Sequence, residues 1–442
     1  MSEHWPAPSA SGLRAAWQRL GLNRSTASLL AAILLIGMGQ YLWQPFMPKY
    51  IEEAIQRTRG LWGNLPDAVV VVLAVGLFGT LMDFQEGVYY YLGGRIGGAL
   101  GTRRALIFFS LLPLVGYGIL LGWVSPLATY LAIPFVLAYD SFSQPATLTV
   151  VGNTLKARHR TMAFSLQAIQ RRIPRVIAVI SGGALVSALS ATGGVRLSVG
   201  ISAILVLLAV IIQLRLLHSD VRDVKLAAGP AGFGLVRGFH PELKKLLAAD
   251  IFARVAEGMP RELFVLYAVM KGTSMDLPGF GTFALTALAF GGLEAVRHFT
   301  SLLTYLPVGF IASRPGGQKK PFIGLTFFFF ALFPLAFWAL GHLAGGLGLV
   351  VAYMIAGLRE IGEPARKAMI TELLPSQIQT TATGIYWSLR SFAVMLAPMA
   401  GAVLWLTVGP AAAFICASAM GMLGAVGFSL LFDRRIGAAD TT

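Results

Sequence analysis

Long apolar runs, broken by short basic or glycine- and proline-marked segments, dominate the chain. Residues 105–139, 176–195, 321–341 and 391–432 carry no charge at all. Each is one or two membrane crossings long, since a bilayer core takes roughly 20 helical residues. Ser125-Pro126 divides the first run and Gly409-Pro410 the last, as expected where helices turn at a membrane surface. The pattern predicts spans near 26–48, 68–93, 105–124, 127–150, 163–189, 196–217, 244–271, 279–312, 321–342, 345–370, 380–407 and 410–432, which is an all-α integral membrane protein of twelve transmembrane helices.

Composition agrees. The 442 residues are 56% hydrophobic and 12% charged, with mean hydropathy +0.71, where a soluble domain carries about 25% charged residues. The net charge of +15 is explained by topology. With a cytoplasmic N-terminus, 22 of the 35 Lys and Arg residues fall in cytoplasmic segments and five in outer loops. This positive-inside asymmetry puts both termini in the cytoplasm, consistent with the plasma (cell inner) membrane, and requires no nucleic-acid partner. The single Cys416 excludes disulfide frameworks and cysteine-ligated metals, and the six histidines form no HExxH motif, so neither a metal nor another cofactor is expected.

Residues 1–25, with Leu13, Trp17 and Leu20 at helical spacing beside Arg14 and Arg19, read as a cytoplasmic segment with a short interfacial helix. The apolar stretch that follows runs on through Tyr41-Leu42-Trp43 without a cleavage site, which makes it a retained anchor. Residues 218–243, rich in glycine and charge, form a cytoplasmic linker between a six-span unit at 26–217 and another at 244–432, and 433–442 form a cytoplasmic tail. No Walker loop is present. Gly93-Gly94-Arg95-Ile96-Gly97-Gly98 follows a membrane helix, where no dinucleotide-binding βαβ unit can form, so no enzyme is indicated.

The two units repeat each other. Gln144-Pro145-Ala146 and Glu363-Pro364-Ala365 are 219 residues apart, as are the span starts at Ala163 and Ala382. A basic segment after the second span, residues 94–104, has a counterpart after the eighth, residues 309–320. A consistent offset is the mark of an internal duplication.

These two basic segments resemble the loop signature of the major facilitator superfamily, G-x-L-a-D-R-x-G-R-[RK]. Gly94, Ile96, Gly101 and Arg103 match in the first copy, and Gly309, Ile311, Ala312, Arg314, Gly316 and Lys319 in the second. The signature's aspartate is replaced by Gly98 and Ser313, so the latch it supplies in that family is altered here. Of the family exporters' fifth-span motif only Gly182-Gly183 matches. The resemblance, which covers nearly the whole chain, implies two pseudo-symmetric six-helix bundles rocking around a site near the bilayer midplane.

Charges at bilayer depth are costly unless paired or hydrated, so each is a candidate for function and, equally, for a structural ion pair. Asp250, Arg254, Glu257 and Arg261 share one face of the seventh span with alternating sign, Asp250 near the cytoplasmic end. They either pair along the helix or exchange partners on other helices. Asp140 and Arg359 are related by the 219 offset, and an Asp140–Arg359 bridge across the cavity is expected, with Glu363 on the same face as Arg359. Arg171 and Arg390, each one turn after Gln167 and Tyr386, are also related by it. Two symmetry-related guanidiniums suit a carboxylate or phosphate; alternatively they neutralise Asp83, Glu86 or Glu294.

Asp83, Glu86, Asp140, Glu257 and Glu294 are the candidates for proton coupling or gating, with His298 beside Glu294. Gln40, Trp43, Gln44 and Tyr386 supply a polar and aromatic lining, and Arg171, Arg390, Arg359, Arg261 and Glu363 the charged contacts to substrate. The expected function is secondary active transport of a small organic solute, an organic anion being the leading class, coupled to protons. The rivals are a proton-coupled exporter of lipophilic cations or amphiphiles, and a transport-inactive assembly protein that keeps the fold.

Overall fold

The expected apolar runs are helical, as they must be in lipid, where no water is present to satisfy backbone polar groups. The computed structural model describes residues 24–58, 65–100, 102–139, 141–142, 157–216, 232–270, 274–277, 281–284, 286–314, 317–374 and 379–433. The expected interfacial helix up to residue 23, the linker at 218–231, the tail from 434, and Gly101, Asp140 and Gly316 lie outside the described residues.

The first half of the sequence forms α1 (Arg24–Trp43), a 3-10 turn (Gln44–Phe46), α2 (Met47–Arg57), α3 (Asp67–Leu100), α4 (Thr102–Gly122), α5 (Pro126–Val136), α6 (Ala157–Leu189) and α7 (Ala191–Leu216). The second forms a 3-10 turn (Phe233–Gly238), α8 (Pro241–Arg261), α9 (Leu263–Met270), α10 (Ala287–Ala312), α11 (Lys320–Leu343), α12 (Gly345–Leu358), α13 (Glu363–Leu373), α14 (Gln379–Val394), α15 (Ala397–Thr407) and α16 (Pro410–Leu431). Among the described residues, eight helical segments are long and apolar enough to cross a bilayer. Starts follow local chemistry: Ser125 caps α5 by accepting from Leu127 N–H at 3.2 Å, with Pro126 as first helical residue.

Three expectations are corrected. The eighth span was placed from residue 279, but β1 (Ser274–Leu277) and β2 (Gly281–Ala284) pair antiparallel there, with Ser274 opposite Ala284, and α10 starts at Ala287. Pro278, Gly279 and Gly281 are poor helix formers. The basic segment from residue 94 is not a loop at its start, because α3 continues to Leu100 and carries Gly94; Gly309 likewise lies within α10. Residues 49–57, placed in an outer loop, belong to α2, which buries Tyr50, Ile51, Ala54 and Ile55 on one face.

Two expected spans are interrupted. Pro260 lacks an N–H and clashes with the preceding turn, and the helix breaks at Arg261-Glu262 between α8 and α9. A second break, at 359–362, separates α12 from α13. Here Gly362 is required: a Cβ at this position would lie 2.2 Å from the Phe322 carbonyl oxygen. Both breaks carry charge, Arg261-Glu262 and Arg359-Glu360, and helix interruptions of this kind bring charged groups and free backbone polar groups to a membrane cavity.

Helices from the two sequence halves pack closely. α6 lies along α10, and α3 lies against α14 and α15. At the α6–α10 seam a Cβ on Gly291 would meet the Val179 carbonyl oxygen at 2.4 Å. An aromatic cluster of Phe264, Phe333, Phe337, Tyr353 and Phe414 fills the second half. Large apolar side chains such as Ile204, Leu303 and Leu423, each 60% exposed, cover the outside, which suits lipid rather than water.

Candidate functional site

Two cavities that share lining residues open between the sequence halves. The larger, about 330 Å³, is lined by Gln40, Tyr41 and Gln44, by Asp83 and Glu86 of α3, by Arg171 and Arg175 of α6, by Glu257, Arg261 and Glu262 at the α8–α9 break, and by Phe290, Glu294 and Arg297 of α10. The smaller, about 220 Å³, shares Asp83, Glu86, Tyr90, Glu257 and Arg261 with it and adds Arg254, Glu363, Trp387, Arg390 and Ser391. Most of the charge singled out in the sequence therefore converges on one region.

On the seventh-span face, charges pair both along the helix and with other helices. Arg254 pairs with Glu257 along the helix. The other charges reach across: Arg261 Nη1 lies 3.0 Å from Asp83 Oδ1, and Arg359 Nη1 3.6 Å from Glu257 Oε1. Arg261 Nε also donates to Glu262 at 2.8 Å. Asp250 is 0% exposed, paired with Arg366, with Arg390 Nη1 3.7 Å from its other oxygen. Arg366, within the tenth expected span, is buried completely between Asp250 and Glu363, and Lys367 lies 3.3 Å from Glu363. A buried guanidinium holds its place because both neighbours are carboxylates.

Several expected placements change. Arg171 and Arg390 do not share a cavity: Arg171 lines the larger, Arg390 the smaller, stacked over Trp387 at 4.0 Å. Neither neutralises Asp83, Glu86 or Glu294; Asp83 takes Arg261, and Glu294 takes Arg297 at 2.5 Å. Trp43 turns away from both cavities and packs edge-on against Tyr117, while Gln40 donates to Gln44 at 2.8 Å and both face the larger cavity. Tyr386 is fully buried beside Asp250, and Arg359 lies behind the lining over the Phe333 ring at 4.6 Å. His298 is fully buried and accepts from Arg172 at Nδ1 (2.7 Å), and the same guanidinium reaches Glu360 at 3.0 Å.

In the loop signature, Gly309 brings α10 close to Ser165 of α6, and Arg314 sits over Phe310. The side chain of Arg103 is outside the described residues. Sequence reasoning missed Glu262 and Arg297. Their signals were the Pro260 break beside Glu262 and the three-residue spacing of Arg297 from Glu294.

Arg175 lies over the Tyr41 ring at 4.2 Å, and the lining charges Arg171 and Glu86 have no ionic partner among the described residues. Arg171 has Nε and Nη2 buried with no hydrogen bond. Glu86 accepts from Tyr90 Oη at 2.8 Å and Ser391 Oγ at 3.2 Å, and no cation bridges it.

No family model and no curated protein sequence matches the chain. Solved structures do. The human organic anion transporter MFSD10 (TETRAN) aligns over 92% of this chain and 99% of its own at TM-score 0.67 and 13% identity. The proton:xylose symporter XylE, bound to 6-bromo-6-deoxy-D-glucose, aligns over 94% and 98% at TM-score 0.62 and 14% identity. The peptide transporter POT in complex with alafosfalin aligns over 92% and 94% at TM-score 0.61 and 16% identity. The chain therefore has the fold of the major facilitator superfamily.

Proposed function

We propose that the chain is a secondary active transporter that moves a small organic solute bearing an acidic group by alternating access, coupled to protons. The observation that carries this reading is Arg171, a half-buried arginine whose buried Nε and Nη2 have no hydrogen-bond partner, on a cavity between the sequence halves. Buried N–H groups without partners are rare in finished structures, and a carboxylate is the natural complement of a guanidinium fork. In this reading the chain forms twelve membrane helices in two six-helix bundles, 26–217 and 244–432, with both termini cytoplasmic.

The proton has a candidate seat at Asp83. Its Oδ1 takes Arg261 from the other sequence half while its buried Oδ2 has no hydrogen bond. Protonation there would release Arg261 and loosen a contact between the bundles.

A second reading, export of lipophilic cations, is favoured by Glu86, a lining carboxylate with no cationic partner among the described residues. Uptake of labelled organic anions into sealed vesicles containing the purified protein, under an imposed proton gradient, separates the readings. Gradient-driven anion uptake lost in Arg171→Gln supports the first. Cation movement alone, unchanged in Arg171→Gln, supports the second, and no movement of any solute overturns transport.

A further inference from the structure

Most of the cavity's charges are paired: Arg261 with Asp83 and Glu262, Arg297 with Glu294, and Glu257 with Arg254 and Arg359. Arg175 lies over the Tyr41 ring at 4.2 Å. Arg171 on α6 and Glu86 on α3 line the same cavity of about 330 Å³, and neither has an ionic partner among the described residues. Glu86 spends one acceptor site of each oxygen on a hydroxyl, Tyr90 on Oε1 and Ser391 on Oε2. A carboxylate offers about four acceptor sites, so capacity for an ammonium remains. A purely anionic solute satisfies Arg171 and leaves Glu86 uncompensated beside it. A purely cationic one does the reverse. A solute bearing both groups completes both, and a charge that an occupied cavity shuts off from water without a partner is the costlier state.

Building on the transport reading above, we infer that the substrate is zwitterionic, a small amino-acid-like or dipeptide-like solute whose carboxylate is held by Arg171 and whose ammonium is held by Glu86. The selectivity is for the pair of charges. Gln40 and Gln44, bonded to each other, offer neutral hydrogen-bonding groups beside the charged pair, and Phe290 an apolar face for a side chain.

The test is a thermal-shift series on the full-length detergent-purified protein with three skeletons: alanine, phenylalanine and alanyl-alanine. Each is offered as the zwitterion, as the N-acetylated acid and as the carboxamide cation. In at least one skeleton the zwitterion is expected to stabilise the protein more than either singly charged relative. Glu86→Gln is expected to weaken zwitterion binding about ten- to a hundredfold, the scale of one charged hydrogen bond, and to leave the N-acetylated acid unaffected. Arg171→Gln is expected to abolish the response to both acids. Glu86→Asp, which keeps the charge on a shorter arm, is expected to retain a preference for the zwitterion, which guards against a variant that merely folds poorly.

Equal response to the zwitterion and its N-acetylated acid, or to the zwitterion and its amide, overturns the inference, as does no response to any of the nine compounds. The transport reading fails separately, by the absence of gradient-driven solute uptake in vesicles.

Discussion

Arg261 Nη1 lies 3.0 Å from Asp83 Oδ1, a bridge from the broken end of α8 in the second half of the sequence to α3 in the first. Proton coupling through this bridge requires a carboxyl that can take up the proton. Asp83→Asn is therefore expected to cut gradient-driven accumulation about tenfold, within the usual range of coupling energies, while exchange of labelled for unlabelled solute continues. Loss of both activities together would assign Asp83 to binding or folding instead.

Arg366, fully buried, and Arg171, half-buried, have opposite expected behaviour. Arg366 is 0% exposed and lies between Asp250 and Glu363, so Arg366→Met strands carboxylates and is expected to destabilise by about 3–5 kcal/mol. Arg171 has no such partner among the described residues, and Arg171→Gln is expected to leave the unliganded melting temperature unchanged or higher. Thermal melts of the two variants without added solute check both statements. Adding Asp250→Asn to Arg366→Met should restore part of the loss.

Glu53, on α2 outside the crossing segments, accepts from the Thr192 N–H at the start of α7 at 2.8 Å and from Arg57 at 2.5 Å. Burial alone would raise its pKa, but the Thr192 amide and the Arg57 guanidinium outweigh it and hold it below the usual 4.5. Because the folded-state pKa lies below the unfolded one, the contribution is present above the unfolded value and is lost as pH falls through the folded value. Wild type is thus expected to melt higher than Glu53→Gln at neutral pH, with the gap closing below about pH 4.5, as paired melts in buffers across that range will show. A gap that persists unchanged into acid would contradict the assignment.

Gly291 and Gly292 are neighbours with opposite demands. A Cβ on Gly291 meets the Val179 carbonyl oxygen of α6 at 2.4 Å, whereas one on Gly292 meets nothing within 4 Å. Gly291→Ala is expected to force α6 and α10 apart and cost about 1–3 kcal/mol, with Gly292→Ala neutral or slightly stabilising through better helix propensity. Melting temperatures of the pair decide it, and a spin-label distance between Ile180 and Leu288 should lengthen in the first variant alone.

The sequence made the apolar spans legible because lipid imposes a length near 20 residues, and it exposed the buried charges as outliers in apolar background. It did not reveal their partners, since those lie on other helices. Arg359 is matched by Glu257, a pairing no spacing within either helix encodes. Arg366 lies within the tenth expected span, and nothing in its local sequence names Asp250 of α8 as its partner. Helical spacing puts Gln40, Trp43 and Gln44 on one face, but α1 ends at Trp43 and Gln44–Phe46 is a 3-10 turn, and Trp43 packs against Tyr117 instead of lining the cavity. The 219-residue offset placed Arg171 and Arg390 at equivalent positions, yet Arg390 is covered by Trp387 and drawn to Asp250, an asymmetry that a repeat cannot forecast.

The account rests on a cavity that opens to each side of the membrane in turn. Ser141 lines it, and the chain has a single cysteine, Cys416, so Ser141→Cys in a Cys416→Ser background places one thiol at the site. The decisive measurement is the labelling of that thiol by a membrane-impermeant maleimide applied to one face or the other of sealed vesicles, with and without a proton gradient. Labelling from both faces, with the gradient raising one rate and lowering the other, is the predicted result. Labelling from one face only, at a rate that the gradient leaves unchanged, would contradict alternating access.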